Sequence, residues 1–166
     1  QAHHQALSAY SDLITRWVVG GQYGVEPVGW DLYGGVGALV PALHHALGNN
    51  SHIHSVESAR VMATSGQVTF GDDVHFHIGL VGNLVDTLPQ PDVVVLDPPR
   101  VGAGTDVVTR IAARKPQRVI HIGCDPATSA TDIRAWSQAG YHLSDIVVVN
   151  AFPGTHHFET LGLLQP

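Results

Sequence analysis

Cys124 is the single cysteine of the chain. It stands just past the strand-forming run Arg118 to Ile122 and directly before Asp125-Pro126, which read as a helix start. A thiol near the positive end of a helix dipole is favoured as the thiolate, the form that attacks carbon. The plain alternative is a small buried hydrophobe. Its place at the carboxyl end of a strand argues for a nucleophile. Three acidic groups stand at similar points. Asp97-Pro98-Pro99-Arg100 follows the run Val93 to Leu96, and its two prolines fix a rigid, extended backbone. Glu57 ends the run His52 to Val56, at about the spacing after Asp31 where an acidic side chain binds ribose hydroxyls. Glu159 lies near the start of the last strand-like segment. The turn Asp31-Leu32-Tyr33-Gly34-Gly35-Val36-Gly37 lets backbone approach a ligand closely at a helix N-terminus. A surface Glu and an ordinary strand-to-helix turn are the bland readings of these last features. A dinucleotide fingerprint wants a third glycine where Val40 stands.

The elements that must position these groups alternate along the chain. Leu7, Tyr10, Leu13, Ile14, Trp17 and Val18 recur at helical spacing and form one apolar stripe, which Gly20-Gly21 ends. Strands are expected at Val28 to Tyr33, His52 to Val56, Val74 to Ile78, Val93 to Leu96, Arg118 to Ile122, Ile146 to Val149 and Phe158 to Leu164. Helices are expected from about Ala38 to Leu47, Ser58 to Thr64, Thr105 to Arg114 and Pro126 to Ala139. This alternation predicts an α/β fold with a mostly parallel seven-stranded sheet covered by helices on both faces. The unbroken run Val93 to Leu96 reads as its central strand. The link between the last two strands is too short for a crossover, so the last strand should be antiparallel. In open sheets of this kind ligands bind at the carboxyl ends of the parallel strands. The glycine turn, Glu57, Asp97, Cys124 and Glu159 should therefore share one rim.

Length and composition agree with one domain spanning residues 1–166. The chain has 166 residues, 44% of them apolar and 13% charged, which excludes a solvated, disordered chain. One cysteine excludes an internal disulfide framework and any cysteine-based zinc or iron–sulfur site within the chain. A lone thiol fits a reducing compartment, so a cytoplasmic location is expected. No apolar run approaches the roughly 20 residues of a membrane helix, and no membrane partner is expected. The net charge of −6 gives little counterion-release affinity for nucleic acid. The start at Gln1 suggests a cut from a longer polypeptide. The twelve histidines include the pairs His52/His54 and His75/His77, each on one face of a strand. Such spacing can bind a metal, but no carboxylate–histidine cluster of known spacing surrounds them. They read as surface or edge-strand residues, and no metal is expected.

With these residues the chain resembles the RNA uracil-5-methyltransferases, which make 5-methyluridine in tRNA or 23S rRNA. The resemblance rests on Asp31-Leu32-Tyr33 with its glycine turn, on Asp97-Pro98-Pro99-Arg100 with Gly102, on Cys124-Asp125-Pro126-Ala127-Thr128, and on Phe152-Pro153 with Thr155, His157 and Glu159. It covers essentially the whole chain as the family's C-terminal catalytic domain, without the upstream RNA-binding region. It implies a Rossmann-like class I methyltransferase fold. It also implies that Gln1, Tyr33, Gly35, Glu57 and Asp97 surround S-adenosylmethionine, that Cys124 is the nucleophile and that Glu159 is the base. The implied partner is an RNA whose uridine must be exposed, by flipping or in a loop. The chain departs from the family pattern at Gly34, Ala38, Gly123 and Asn150. Gly79-Leu80 offers no group for the adenine, so Asn83 or Asp86 would have to serve. Two other readings stand beside this one: a relative that binds cofactor or RNA without turnover, and a nicotinamide-dependent oxidoreductase. Val40 and the Asp-Pro-Pro-Arg segment argue against the second.

Overall fold

The structure is a computed structural model and describes residues 4–150 and 158–166. Helix α1 (His4–Val19) precedes strand β1 (Val28–Leu32), followed by α2 (Val40–Leu47), β2 (His52–Glu57) and α3 (Arg60–Phe70). Then come β3 (Val74–Ile78), a short α4 (Val81–Leu84), β4 (Val93–Leu96), α5 (Thr105–Ala113), β5 (Arg118–Gly123), α6 (Pro126–Gln138), β6 (His142–Val149) and β7 (Glu159–Gln165). The strands form one seven-stranded sheet in the order β3-β2-β1-β4-β5-β7-β6. Strands β1 to β5 pair in parallel, and β7 inserts antiparallel between β5 and β6. The expected fold class and the antiparallel last strand are both present.

The pleat explains the central strand. Val93 and Val95 face one core with Tyr10, Ile14 and Trp17 of α1 and Leu43 of α2. Val94 and Leu96 face the other, with Val108 and Ile111 of α5 and Trp136 of α6. All four are fully buried. This is why β4 reads as a continuous apolar run rather than an alternating one.

Beyond shifts of one or two residues at other ends, the differences from the sequence pattern have local reasons. Helix α2 begins at Val40 rather than near Ala38, because the glycine turn continues to Leu39 and Pro41 suits the first helical turn. Helix α3 runs past Thr64 to Phe70. Gly66 does not stop it; the missing side chain makes room for Phe76, whose ring would lie 2.4 Å from a Cβ there. The single turn α4 carries too few residues to show a helical period. Strand β6 begins at His142, and its polar start is hidden from a hydrophobic pattern because this edge strand is largely exposed.

Candidate active site

Parallel strands β1, β2, β4 and β5 end on one rim, and the loops leaving it carry the groups singled out above. Glu57 closes β2, half-buried. Its Oε2 accepts a hydrogen bond from the Gly35 amide at 3.0 Å. Its Oε1 accepts from Ser58 Oγ at 3.1 Å and from the Ala59 amide at 2.6 Å. One carboxylate thus ties the glycine turn to the start of α3. Tyr33 has φ +62°, a left-handed conformation that costs a non-glycine residue about 1 kcal/mol or more. Gly35 follows with φ +59°, and a Cβ there would meet only Met62 Cε at 3.8 Å. The turn is strained, held by Glu57, and open on the side a ligand would approach. Beneath it Asp31 is buried and accepts from Ser55 Oγ at 2.9 Å. Burial pushes its carboxyl up to about 6, against the Ser55 hydrogen bond and with the help of Glu57.

Asp97, Cys124 and Glu159 come together further along the rim. Gly123 on β5 is opposite Thr160 on β7, and Thr160 Oγ1 donates to the Gly123 carbonyl at 3.1 Å. Continuing that antiparallel register sets Cys124 opposite Glu159. Burial pushes the Cys124 thiol up, and the carboxylates of Glu159 and then Asp97 add to it; a backbone hydrogen bond and Arg100 oppose them. Asp97 has an exposed surface, yet the protein crowding its carboxyl, Glu159 and Asp31 together push it up to about 7. Tyr10, on α1, donates a hydrogen bond to Glu159 Oε2.

The thiol therefore differs from the expectation in one respect. A helix start was expected to favour the thiolate. Here Asp125 caps α6 with its own carboxylate, accepting from the Ala127 and Thr128 amides at 3.0 Å each. The helix end is spent on Asp125, whose carboxyl is lowered by it. Cys124 is left with burial and two anionic neighbours, which favour the neutral thiol.

Helix α6 also holds the Asp-Pro-Pro-Arg loop. Thr128 Oγ1 donates to the Arg100 carbonyl at 2.9 Å. Buried Asp132 accepts from the amides of Ala103 at 2.7 Å and Gly104 at 3.0 Å. Trp136 Nε1 donates to His121 Nδ1 at 3.2 Å, so the neutral ring carries its proton on Nε2, 3.5 Å from Asp132. Burial keeps His121 neutral, pushing it down to about 4 against the pull of Asp132. Hydrogen bonds thus tie the helix that follows Cys124 to the proline loop. Sequence reasoning missed Asp132 and Tyr10. Both lie inside helical stretches, where their spacing marks them as ordinary helix residues. A buried Asp and a buried Tyr, however, each need a partner.

Two departures from the family pattern find local answers. A Cβ at Gly123 would lie 2.0 Å from Ser129 Oγ, so Ser129 fills the space that a side chain at position 123 would take. Asp86 is held by Arg110 at 2.6 Å, which leaves Asn83, exposed on α4, as the candidate for the adenine. Gln1, Phe152, Pro153, Thr155 and His157 lie outside the described residues.

Among the described residues no group of three His, Cys, Asp or Glu could hold a metal ion. The strand histidines pair with each other instead. His54 Nδ1 and His77 Nε2 are 3.0 Å apart, and His54 stacks on His75 and His77. Burial, then the neighbouring imidazoles, push His54 down to about 4. Its folded value lies below its unfolded value of about 6.5, so the unfolded chain binds more protons between them. That contribution to stability is complete above about 6.5 and is lost as pH falls toward 4. His54→Gln is expected to lose less stability than the parent chain between pH 7.5 and 5, by on the order of 1 kcal/mol in denaturant titrations. Equal losses would show that His54 is not held neutral.

No helix among the described residues is long and apolar enough to cross a membrane. Residues 72–166 match the family model for tRNA (uracil-5-)-methyltransferase. Over 98% of its length the chain is 52% identical to a Corynebacterium efficiens protein named as an uncharacterized RNA methyltransferase, covering 39% of that protein. A Corynebacterium glutamicum protein of the same description is 49% identical over 98% of the chain and 40% of its own length. The chain thus spans about two-fifths of the length of these curated relatives. Among solved structures it is similar to the Pyrococcus abyssi tRNA (uracil-54, C5)-methyltransferase in complex with S-adenosyl-L-homocysteine. The TM-score is 0.76 at 23% identity, over 96% of this chain and 38% of that one. A precorrin-6y C5,15-methyltransferase from Geobacter metallireducens gives 0.73 at 14% identity, over 95% of this chain and 89% of that one. These likenesses show a Rossmann-like methyltransferase fold.

Proposed function

We propose that this chain, which belongs to the tRNA (uracil-5-)-methyltransferase family, methylates C5 of a uridine in RNA through a covalent bond between Cys124 and C6. The observation that carries the reading is a single cysteine between two carboxylates, Asp97 and Glu159, on the same rim as a strained glycine turn held by Glu57. The turn and the acidic end of β2 fit S-adenosylmethionine. Open backbone at Gly35 suits close approach, and Glu57 can accept from ribose hydroxyls. Tyr33 and Asp97 flank that place, and Gln1 is assigned to it by the resemblance alone. Bound there, the cofactor supplies an electrophilic methyl on a sulfonium.

The residues of the chain supply the rest. C5 of uracil is a poor nucleophile. Cys124 Sγ gives up its proton to solvent and adds to C6; the C5=C6 electron pair moves toward O4, and C5 becomes enolate-like and nucleophilic. After methylation C5 bears both hydrogen and methyl. Glu159 takes the C5 proton, the C5–H pair re-forms C5=C6, and the C6–S bond breaks with its electrons on sulfur. Residues 1–166 carry a charge of −6, so most affinity for RNA is assigned to other parts of the protein.

Mass spectrometry of total RNA from cells lacking the gene tests the reading. One 5-methyluridine of tRNA or rRNA should disappear and return with the wild-type gene. An unchanged set of 5-methyluridines would point instead to a relative that binds without turnover. The cofactor site has its own test. In calorimetry with S-adenosylhomocysteine, Glu57→Ala is expected to weaken binding roughly tenfold or more, since two charge-assisted hydrogen bonds are lost. Wild-type affinity in that variant would remove Glu57 from the site.

A further inference from the structure

The apolar stripe of α1 contains one residue that is not purely apolar. Tyr10 is 3% exposed and lies in the same core as Leu161 and Leu163 of β7. A phenol buried this deeply needs a partner for its hydroxyl. Its partner is the Glu159 carboxylate, 149 positions away in sequence. Helix α1 thereby reaches across the first core and touches the site from below, from the opposite end of the chain. Nothing in the proposed reaction requires this contact.

We propose that Tyr10 is a positioning residue for Glu159: its hydroxyl donates to Oε2 and fixes the carboxylate so that Oε1 meets the C5 proton. The inference rests on the reading of Glu159 as the base. Tyr10 itself is no base. Burial, the Glu159 hydrogen bond and the charges of Glu159, Asp97 and Cys124 hold its phenol well above its ordinary range, so it remains a proton donor. A neutral donor is the group that suits this place. A cation would pair with whichever of three acidic groups lay nearest, whereas a phenol on a rigid helix points its one proton in one direction. Tyr10 keeps its proton throughout. Glu159 gains the C5 proton, the C5–H electrons re-form the double bond, and sulfur leaves with the C6–S pair. Tyr10 acts only on where the carboxylate stands when that happens, and a loosely held base loses rate through orientation.

The test compares Tyr10→Phe, Glu159→Gln and the double variant in the intact protein, with total RNA from cells lacking the gene as substrate. Phe keeps the ring in its packing and removes only the oxygen. Four quantities are read: melting temperature, rate of covalent complex formation, methyl content of the complex, and turnover. Tyr10→Phe should melt within a few degrees of wild type and form the complex at the wild-type rate. Its turnover should fall roughly tenfold, with methylated complex accumulating and KM for the cofactor unchanged. Adding Tyr10→Phe to Glu159→Gln should cost nothing further, because the two act as one unit. Wild-type turnover in Tyr10→Phe would overturn the proposal. So would equal slowing of complex formation and turnover, which is what a merely structural role gives. If Glu159→Gln stalls with methylated complex while Tyr10→Phe does not, Tyr10 fails and the base assignment stands. If Glu159→Gln turns over normally, the base assignment fails and the role of Tyr10 falls with it.

Discussion

Cys124→Ala is expected to abolish both the covalent RNA complex and methylation in the intact protein. Activity should fall roughly 10⁴-fold or more, because in the proposed mechanism the thiol makes C5 reactive and no neighbour replaces it. Asp97 and Glu159, the groups nearest in charge, are carboxylates of much lower nucleophilicity than a thiolate. The variant should still fold and bind cofactor, since Cys124 is half-buried at a loop and forms no disulfide. A further sign follows from the surroundings of the thiol. Burial, Glu159 and Asp97 hold it above its ordinary range, so the thiolate fraction grows with pH through the neutral region. The rate of covalent complex formation should rise with pH over that interval. Retained methylation in Cys124→Ala, measured by transfer of labelled methyl to RNA, would remove Cys124 from the chemistry.

Glu159→Gln should fail differently. The amide has nearly the same shape but is a poor proton acceptor. Addition of sulfur to C6 and methylation at C5 can still proceed, while elimination cannot. The variant is expected to accumulate a protein–RNA complex that survives denaturing electrophoresis and whose uracil is already methylated. Turnover should fall by about 10²–10⁴-fold, the usual range for a general base. Complex formation should not slow, and it should match or exceed the wild-type rate, because loss of the Glu159 charge removes one of the groups that hold the Cys124 thiol up. A complex that lacks the methyl group, or none at all, would mean that Glu159 acts before methylation and that another group takes the proton.

Much of this arrangement could be read from residue order. The run Val93 to Leu96 announced a strand buried on both faces, and the alternation of elements announced a parallel sheet. The short link after Asn150 announced the antiparallel strand that brings Glu159 to β5. Cys124 and Asp97 were legible because unusual residues followed buried strands. Less legible was what depends on contact across the chain. Tyr10 looked like one more core residue, because its apolar ring fits a helical stripe and only its partner reveals the hydroxyl. Nothing in its helical stretch marks Asp132, yet it holds the backbone of the proline loop. The thiol's environment is hidden from the sequence for a related reason. A dipole argument sees the helix start but not that Asp125 has already occupied it. The polar half of β6 was invisible because an exposed edge imposes no apolar pattern.

The central claim is that Cys124 and uracil C6 become covalently joined and that release requires loss of the C5 substituent. RNA carrying 5-fluorouridine tests it with the unaltered protein. Fluorine cannot be removed from C5 as a cation, so Glu159 has nothing to accept and the bond to sulfur cannot be broken by elimination. With S-adenosylmethionine present, the account predicts a permanent complex that withstands denaturation. After protease and nuclease digestion, mass spectrometry should find one modified peptide, containing Cys124, whose added mass is a 5-fluorouridine nucleotide plus CH2, the methyl gained less the thiol hydrogen lost. A protein that methylates ordinary RNA yet leaves Cys124 unmodified with the fluorinated RNA would contradict the account.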